Sequence, residues 1–292
     1  MQRWRAYTAR MQSLHTADGL PLHMRQWKLD DGARGTVLIV HGLGEHIGRY
    51  AHVAAHLNRC GWHVAGYDQR GHGASGGTRG AMAADDSLLA DLAVMIDLLR
   101  GRQPGPLVLL GHSMGGLVAG RFVAEGLAPR PASWWRPVEA LVMSSPALDP
   151  GMNVFQKALL GLLGPLAPNL SVSNGLNPAW VSRDPTVVAA YKKDPLVHDR
   201  VTPRLVRFIV DGGAQVIARA SNWRLPTQLL FSGADRCVAP RGSEAFAAAA
   251  PQAVLQHQRF DKLSHEILNE PEQAKVLDAL SRWLAAHGTV MA

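Results

Sequence analysis

The sequence predicts an α/β fold: a mostly parallel central sheet with helices on both faces and a helical insertion. Three observations carry this. Continuous apolar runs such as Thr36–Val40 and Leu107–Leu110 lack polar alternation, as expected of strands covered on both faces. Segments with helical spacing follow these runs in regular alternation. The alternation stops after Asp149-Pro150 and resumes at Thr227. At 292 residues, 47% hydrophobic and 18% charged, the chain suits one packed core with an insertion. The expected division is core over 1–148, helical insertion over 149–222, and core again over 223–292.

Taken in order, Met11–Thr16, a turn at Asp18-Gly19 and Leu22–Leu29 read as a hairpin, closed by Asp30-Asp31-Gly32. Thr36–Val40 is a buried strand ending at His41-Gly-Leu-Gly-Glu-His46. Arg49–Cys60 reads as a helix stopped at Gly61, and Trp62–Tyr67 as a strand delivering Asp68 and the loop Arg70–Gly77. Asp85–Arg100 places Leu88, Leu92, Met95, Ile96 and Leu99 on one helical face. Leu107–Leu110 runs into Gly111-His-Ser-Met-Gly115 and an Ala/Val/Gly-rich helix, and Val138–Ser144 is the next strand. From Gly151 to about Asn222 no strand pattern is visible. That stretch holds an apolar run, a Ser/Asn/Pro-rich loop and helical pieces, including Pro203–Ala220 with Gly212-Gly213 open to a close neighbour. Strand Thr227–Ser232, helix Ser243–Ala250, strand Val254–Phe260 and a helix to about Ala286 complete the chain.

Composition narrows the function. Net charge is +7, but Lys and Arg are scattered, whereas nucleic-acid binding wants them clustered. Weak attraction to anionic membrane surfaces is compatible with that charge. Two cysteines, Cys60 and Cys237, in or beside apolar segments exclude a disulfide scaffold and a thiolate zinc site. The basic start, Met1–Tyr7, has no apolar stretch after it, so no signal peptide is expected, and no run is apolar enough to span a bilayer. The expected location is cytoplasmic, peripheral to membranes at most. No H-E-x-x-H or similar set occurs, so neither a metal nor another cofactor is expected.

The chemistry centres on Ser113. A strand reversing sharply into a helix forces the turn residue into strained angles, tolerated only where glycines leave room. Its hydroxyl is thereby exposed at a helix N-terminus, where unpaired amides favour developing negative charge. A serine hydroxyl needs an adjacent base, and the base an orienting acid. Asp235 follows the Thr227–Ser232 strand and His265 follows the next one, so both lie at the strand edge that carries Ser113. Among 13 histidines, that position singles out His265. Asp211 and Asp261 lack either the strand-then-loop setting or the place in the order. A tetrahedral intermediate needs two donors: Met114 N–H opens the helix, and Leu43 N–H stands between two glycines.

Several segments together resemble the monoacylglycerol lipase and lysophospholipase family of serine α/β-hydrolases. They are His41-Gly-Leu-Gly-Glu-His46 with Gly48-Arg-Tyr50, Asp68-Gln-Arg-Gly-His-Gly-Ala-Ser75, Gly111-His-Ser-Met-Gly-Gly116, Asp194-Pro-Leu-Val197 and Ser264-His-Glu-Ile-Leu-Asn-Glu270. The likeness covers nearly the whole core and is thin over 153–193. It implies the α/β-hydrolase fold, Ser113, Asp235 and His265 as the triad, Leu43 and Met114 as oxyanion donors, and a mobile cap at the insertion. It also implies that Glu45, Arg49 and His112 shape the pocket and that Arg70 and His72 organise their loop. The implied substrate is a small lipid ester, a monoacylglycerol or a lysophospholipid.

Two explanations stay open for the apolar run Val154–Leu166, whose length Pro165 and Pro168 limit: a helix packed on the core, or a greasy lid touching lipid aggregates and lining an acyl channel. Trp134-Trp135 suits a loop packed on the core or part of a lipid-facing surface, and Cys237 a small packing residue near the site that is open to modification. Gly42-x-Gly44-x-x-x-Gly48 imitates a dinucleotide fingerprint, but the spacing is not G-x-G-x-x-G and Gly111–Gly116 would be unexplained. A general medium-chain carboxylesterase, and a ligand sensor that does not turn over, are alternatives to a lipase, and peptidase and acyltransferase activities use the same residues and stay open.

Overall fold

A computed structural model describes residues 12–30 and 32–287. Met1–Tyr7, Met11 at the head of the hairpin, and Asp31 lie outside the described residues. In chain order the elements are β1 (Gln12–His15), β2 (Pro21–Trp27), β3 (Thr36–Val40), α1 (Ala51–Arg59), β4 (His63–Tyr67), α2 (Ser87–Arg100), β5 (Leu107–His112), α3 (Met114–Glu125) and β6 (Ala140–Ser144). Then come α4 (Val154–Leu163), β7 (Val172–Ser173), α5 (Pro185–Lys193), β8 (Arg200–Val201), α6 (Pro203–Ala218), β9 (Thr227–Ser232), α7 (Pro240–Ala249), β10 (Leu255–Phe260) and α8 (Gln273–His287).

An eight-stranded sheet runs in the order β1-β2-β4-β3-β5-β6-β9-β10. Only β2 opposes its neighbours; β3, β4, β5, β6, β9 and β10 are parallel. Residues of one strand divide alternately between two core layers. Leu38, Val40, Leu107, Leu109, Leu141 and Met143 pack with α2, α3, α6 and α7. Val37, Ile39, Val108, Leu110 and Val142 pack with α1 and α8. Burial on both faces explains the continuous apolar runs, each such side chain contributing about 1.5–3 kcal/mol. Chains that leave parallel strands return through helices, so the carboxyl ends of β3, β5, β9 and β10 share one edge.

Two elements depart from the sequence reading, and a third feature follows from the sheet order. Within the insertion, where no strand pattern is visible, β7 and β8 form an antiparallel pair of two residues each. Two residues are too few to write a period-two pattern. Helix α7 begins at Pro240, three residues before the expected start, using proline as its first residue. Strand β10 is exposed over Gln256–Arg259 because it is the sheet edge.

The insertion sits on the core in two ways. Helix α6 lies against α3 and α7, with Gly212 beside Leu117 and Gly213 so close to the Leu148 backbone that a side chain would collide with it. Residues 174–199 lie over the strand edge that carries Ser113. Helix α4 is capped by Asn153, which accepts from Gln156 N while the Gln156 side chain accepts from Asn153 N. The side chains at 154, 155, 157, 159 and 163 lie outside the described residues. Trp134 packs on Phe122 at 5.5 Å and Trp135 against Gly126, both against the core.

Candidate active site

Ser113 follows β5 directly and caps α3 with φ 54° and ψ −121°. The turn closes because Ser113 N donates to Ser144 O (2.9 Å) and its carbonyl accepts from Ala147 N (2.9 Å). A Cβ on Gly115 would strike the carbonyls of Val40 and His41, and one on Gly111 would strike Gly115 O. Those glycines therefore let α3 approach β3 closely enough to hold the serine in its strained conformation.

The structure brings Ser113, His265 and Asp235 into one hydrogen-bonded chain. Ser113 Oγ lies 2.8 Å from His265 Nε2, and His265 Nδ1 lies 2.7 Å from Asp235 Oδ2. Asp235 Oδ1 accepts from Cys237 N (2.8 Å) and Val238 N (3.0 Å). Burial works to raise the Asp235 carboxyl, yet His265 and those two amides hold it below the ordinary range. Burial likewise disfavours a charged His265, but Asp235 in contact, with Glu266 and Glu45 beyond, holds its pKa above the usual imidazole value. With Nδ1–H donated to Asp235, neutral His265 presents Nε2 as the acceptor for the serine proton. That arrangement can draw a proton from the hydroxyl as it attacks a carbonyl carbon.

The two expected oxyanion donors flank this serine. Met114 is the first residue of α3, so its N–H has no acceptor inside its own helix. The Gly42–Glu45 loop approaches so closely that a Cβ on Gly42 would come 3.1 Å from Ser113 Cβ and 2.9 Å from Glu45 Oε1. Glu45 holds this loop by accepting from Gly42 N (2.6 Å) and Tyr50 O–H (2.7 Å).

Arg49 connects Glu45 to the histidine loop. It donates to Glu45 Oε2 (2.6 Å) and, with both terminal nitrogens, to Glu266 (2.7 and 2.6 Å). Although burial disfavours its charge, Glu45 is held down at about 2 by Arg49 and by the nearby rings of His112 and His41. His112 lies with its ring 4.9 Å from that of His265 and its Nδ1 3.1 Å from Ser144 Oγ. Burial, then His265, pushes His112 down to about 4, so it is neutral at physiological pH. Arg70 forks onto Asp91 (2.6 and 2.7 Å) and reaches Asp18, while His72 Nδ1 pairs with Arg70 O.

Above Ser113 lies a cavity of about 230 Å³ walled on one side by Leu43, His112 and His265 and on the other by the insertion. Leu176, Pro178, Val181 and Val197 supply its apolar wall; Tyr191 and Lys192 supply polar groups. Cys237 also lines it, with Sγ inside 4.8 Å of ligand-type atoms of Asp235 and His265. Burial and Asp235 push that thiol up, so it stays protonated.

Several contributors were not visible as such in the sequence. Glu266 sits next to His265, but its partner Arg49 lies 217 positions away. Asp194 accepts from His46 Nε2–H at 2.9 Å, and Tyr191 lies under the Arg49 guanidinium at 4.8 Å. Both come from the insertion, where no periodicity points inward.

A model of the family described as serine aminopeptidase, S33, matches residues 31–272. The chain is 36% identical over 265 residues to a monoacylglycerol lipase of Mycolicibacterium smegmatis, covering 89% of this chain and 91% of that protein. Among solved structures it is similar to the monoacylglycerol lipase of Paleococcus ferrophilus, with TM-score 0.80 and 34% identity over 91% of this chain and 99% of that one. A soluble variant of the Saccharomyces cerevisiae monoglyceride lipase, solved with a substrate analogue, shares the fold at TM-score 0.83 and 21% identity, covering 98% and 97%.

Proposed function

The chain belongs to the serine aminopeptidase S33 family of α/β-hydrolases, and on that premise we propose that it cleaves carboxylic esters of lipids, monoacylglycerols first among them. The single observation that carries this reading is the Ser113–His265–Asp235 chain at the floor of a cavity. Ser113 Oγ attacks the ester carbonyl while His265 takes its proton. Leu43 and Met114 N–H receive the oxyanion, each donor contributing about 3–4 kcal/mol. The glycerol leaves with the proton from His265. Water then gives a proton to His265 and attacks the acyl-enzyme, and the fatty acid departs as Ser113 is reprotonated. Glu45, Arg49 and His112 hold the walls around these atoms.

The insertion over 149–222 acts as a cap and meets lipid. Leu162, Leu166 and Leu170 are 71%, 79% and 60% exposed, a concentration that suits transient rest on a membrane or lipid aggregate. Among the described residues no helix is long and apolar enough to cross a membrane. Both cysteines are free thiols, as suits work in the reducing cytoplasm. A lysophospholipid is the second reading, favoured by Lys192, a cation in the cavity wall that would face a phosphate headgroup.

Purified protein is assayed on monoacylglycerols and lysophospholipids of graded chain length, beside Ser113→Ala. Multiple turnovers on monoacylglycerols that vanish in the variant are expected. Ligand retention without turnover, or turnover that survives Ser113→Ala, would refute the proposal.

A further inference from the structure

One residue of the insertion, His198, touches both loops that frame Ser113. Its main-chain N–H donates to Gly44 O (2.9 Å), one residue past Leu43. Gly44 has φ +75°, and a Cβ there would strike the His198 carbonyl, so the two backbones meet as closely as a glycine allows. The ring makes the second connection. Nε2–H donates to Gly71 O (3.0 Å), and Nδ1 accepts from Arg200 N (3.1 Å). This pairing needs a neutral ring, and burial together with Arg79 holds the imidazole down to about 4. The ring also lies 4.7 Å from that of buried His72.

The Gly71 loop in turn grips the foot of the Leu43 loop. Gln69 N donates to His41 Nε2 (2.9 Å), the Gln69 side chain donates to His41 O (2.7 Å), and His41 Nδ1–H donates to Gly42 O (2.8 Å). The bonds thus close a ring running Gly44, His198, Gly71, Gln69, His41 and Gly42, with Leu43 inside it. We propose that His198 is a positioning residue: by clasping Gly44 to Gly71 it fixes the direction of the Leu43 N–H, so cap seating sets the rate of both acyl-transfer steps as well as access. This rests on the assignment of Leu43 as an oxyanion donor. Such a donor works because it is aimed before charge develops, and a loop free to drift forfeits part of that.

The test uses p-nitrophenyl acetate, too short to need the acyl wall of the cap. His198→Leu keeps bulk and removes both ring bonds. It is expected to lower kcat about tenfold per folded molecule while KM moves less than about twofold. His198→Gln, whose amide can still donate to Gly71 O, is expected to recover most of kcat. Gly44→Ala presses on the same junction from the core side and is expected to show the same loss, which keeps the question decidable where one variant folds poorly. Unchanged kcat in the folded variants, or a defect confined to KM, overturns the proposal. Ser113→Ala run in parallel separates the failures: activity surviving it refutes the serine hydrolase reading on which the clasp rests. Ser113-dependent activity with full kcat in His198→Leu refutes only the clasp.

Discussion

Replacing Arg49 by methionine probes the ion cluster that ties the Leu43 loop to the His265 loop. The Arg49 side chain is 12% exposed and its partners Glu45 and Glu266 only 4% and 5%. Removing one partner of a buried pair typically costs about 3–5 kcal/mol, because the remaining charge stays desolvated. Here two carboxylates are stranded, although Glu45 keeps Gly42 N and Tyr50 O–H and Glu266 keeps Asn269 Nδ2 at 3.0 Å. The expected loss at pH 7 is therefore about 3–5 kcal/mol by urea unfolding, or a Tm lower by roughly 6–10 °C at about 2 °C per kcal/mol for a chain of this size. The pH dependence has a definite sign. Glu45 is held at about 2 against an ordinary 4.5, so its contribution is full above 4.5 and fades as pH falls toward 2. The difference between wild type and variant should narrow over that window. A variant within about 1 kcal/mol of wild type at pH 7 would refute the reasoning, as would a difference that widens on acidification.

Asp235→Asn keeps the shape but loses the charge and tautomer control on His265, and kcat should fall by about 10⁴ in steady-state assays. Because His265 acts neutral and its pKa is raised, kcat/KM should be lost as pH drops through a value above 6.5. Asp235→Asn should shift the residual limb to lower pH; an unmoved limb contradicts the electrostatic account. Ser145 holds φ 40° with a buried hydroxyl that has no partner, so Ser145→Gly should stabilise by about 1 kcal/mol in denaturant unfolding. Destabilisation would refute that.

What the sequence makes legible is whatever leaves a local mark. The strained turn at Ser113 requires glycines on both sides, and doubly covered strands must be apolar throughout, so β3, β5 and β9 are readable. The meeting of Ser113, His265 and Asp235 is readable because parallel strands deliver their following loops to one edge. The Arg49–Glu266 and His198–Gly71 contacts leave no such mark. Their partners are 217 and 127 positions apart, and no periodicity couples them. The insertion is opaque for a related reason: β7 and β8 are two residues each, and the stretches 174–177 and 194–199 face the cavity with irregular backbone.

The central claim is that Ser113 Oγ alone is the atom to which the acyl group becomes attached. Peptide mass mapping after reaction with a fluorophosphonate ester reads this directly. One adduct, on the peptide holding Gly111–Gly116, that disappears in Ser113→Ala together with monoacylglycerol turnover is the predicted result. An adduct on another residue, or turnover persisting in Ser113→Ala, would contradict it.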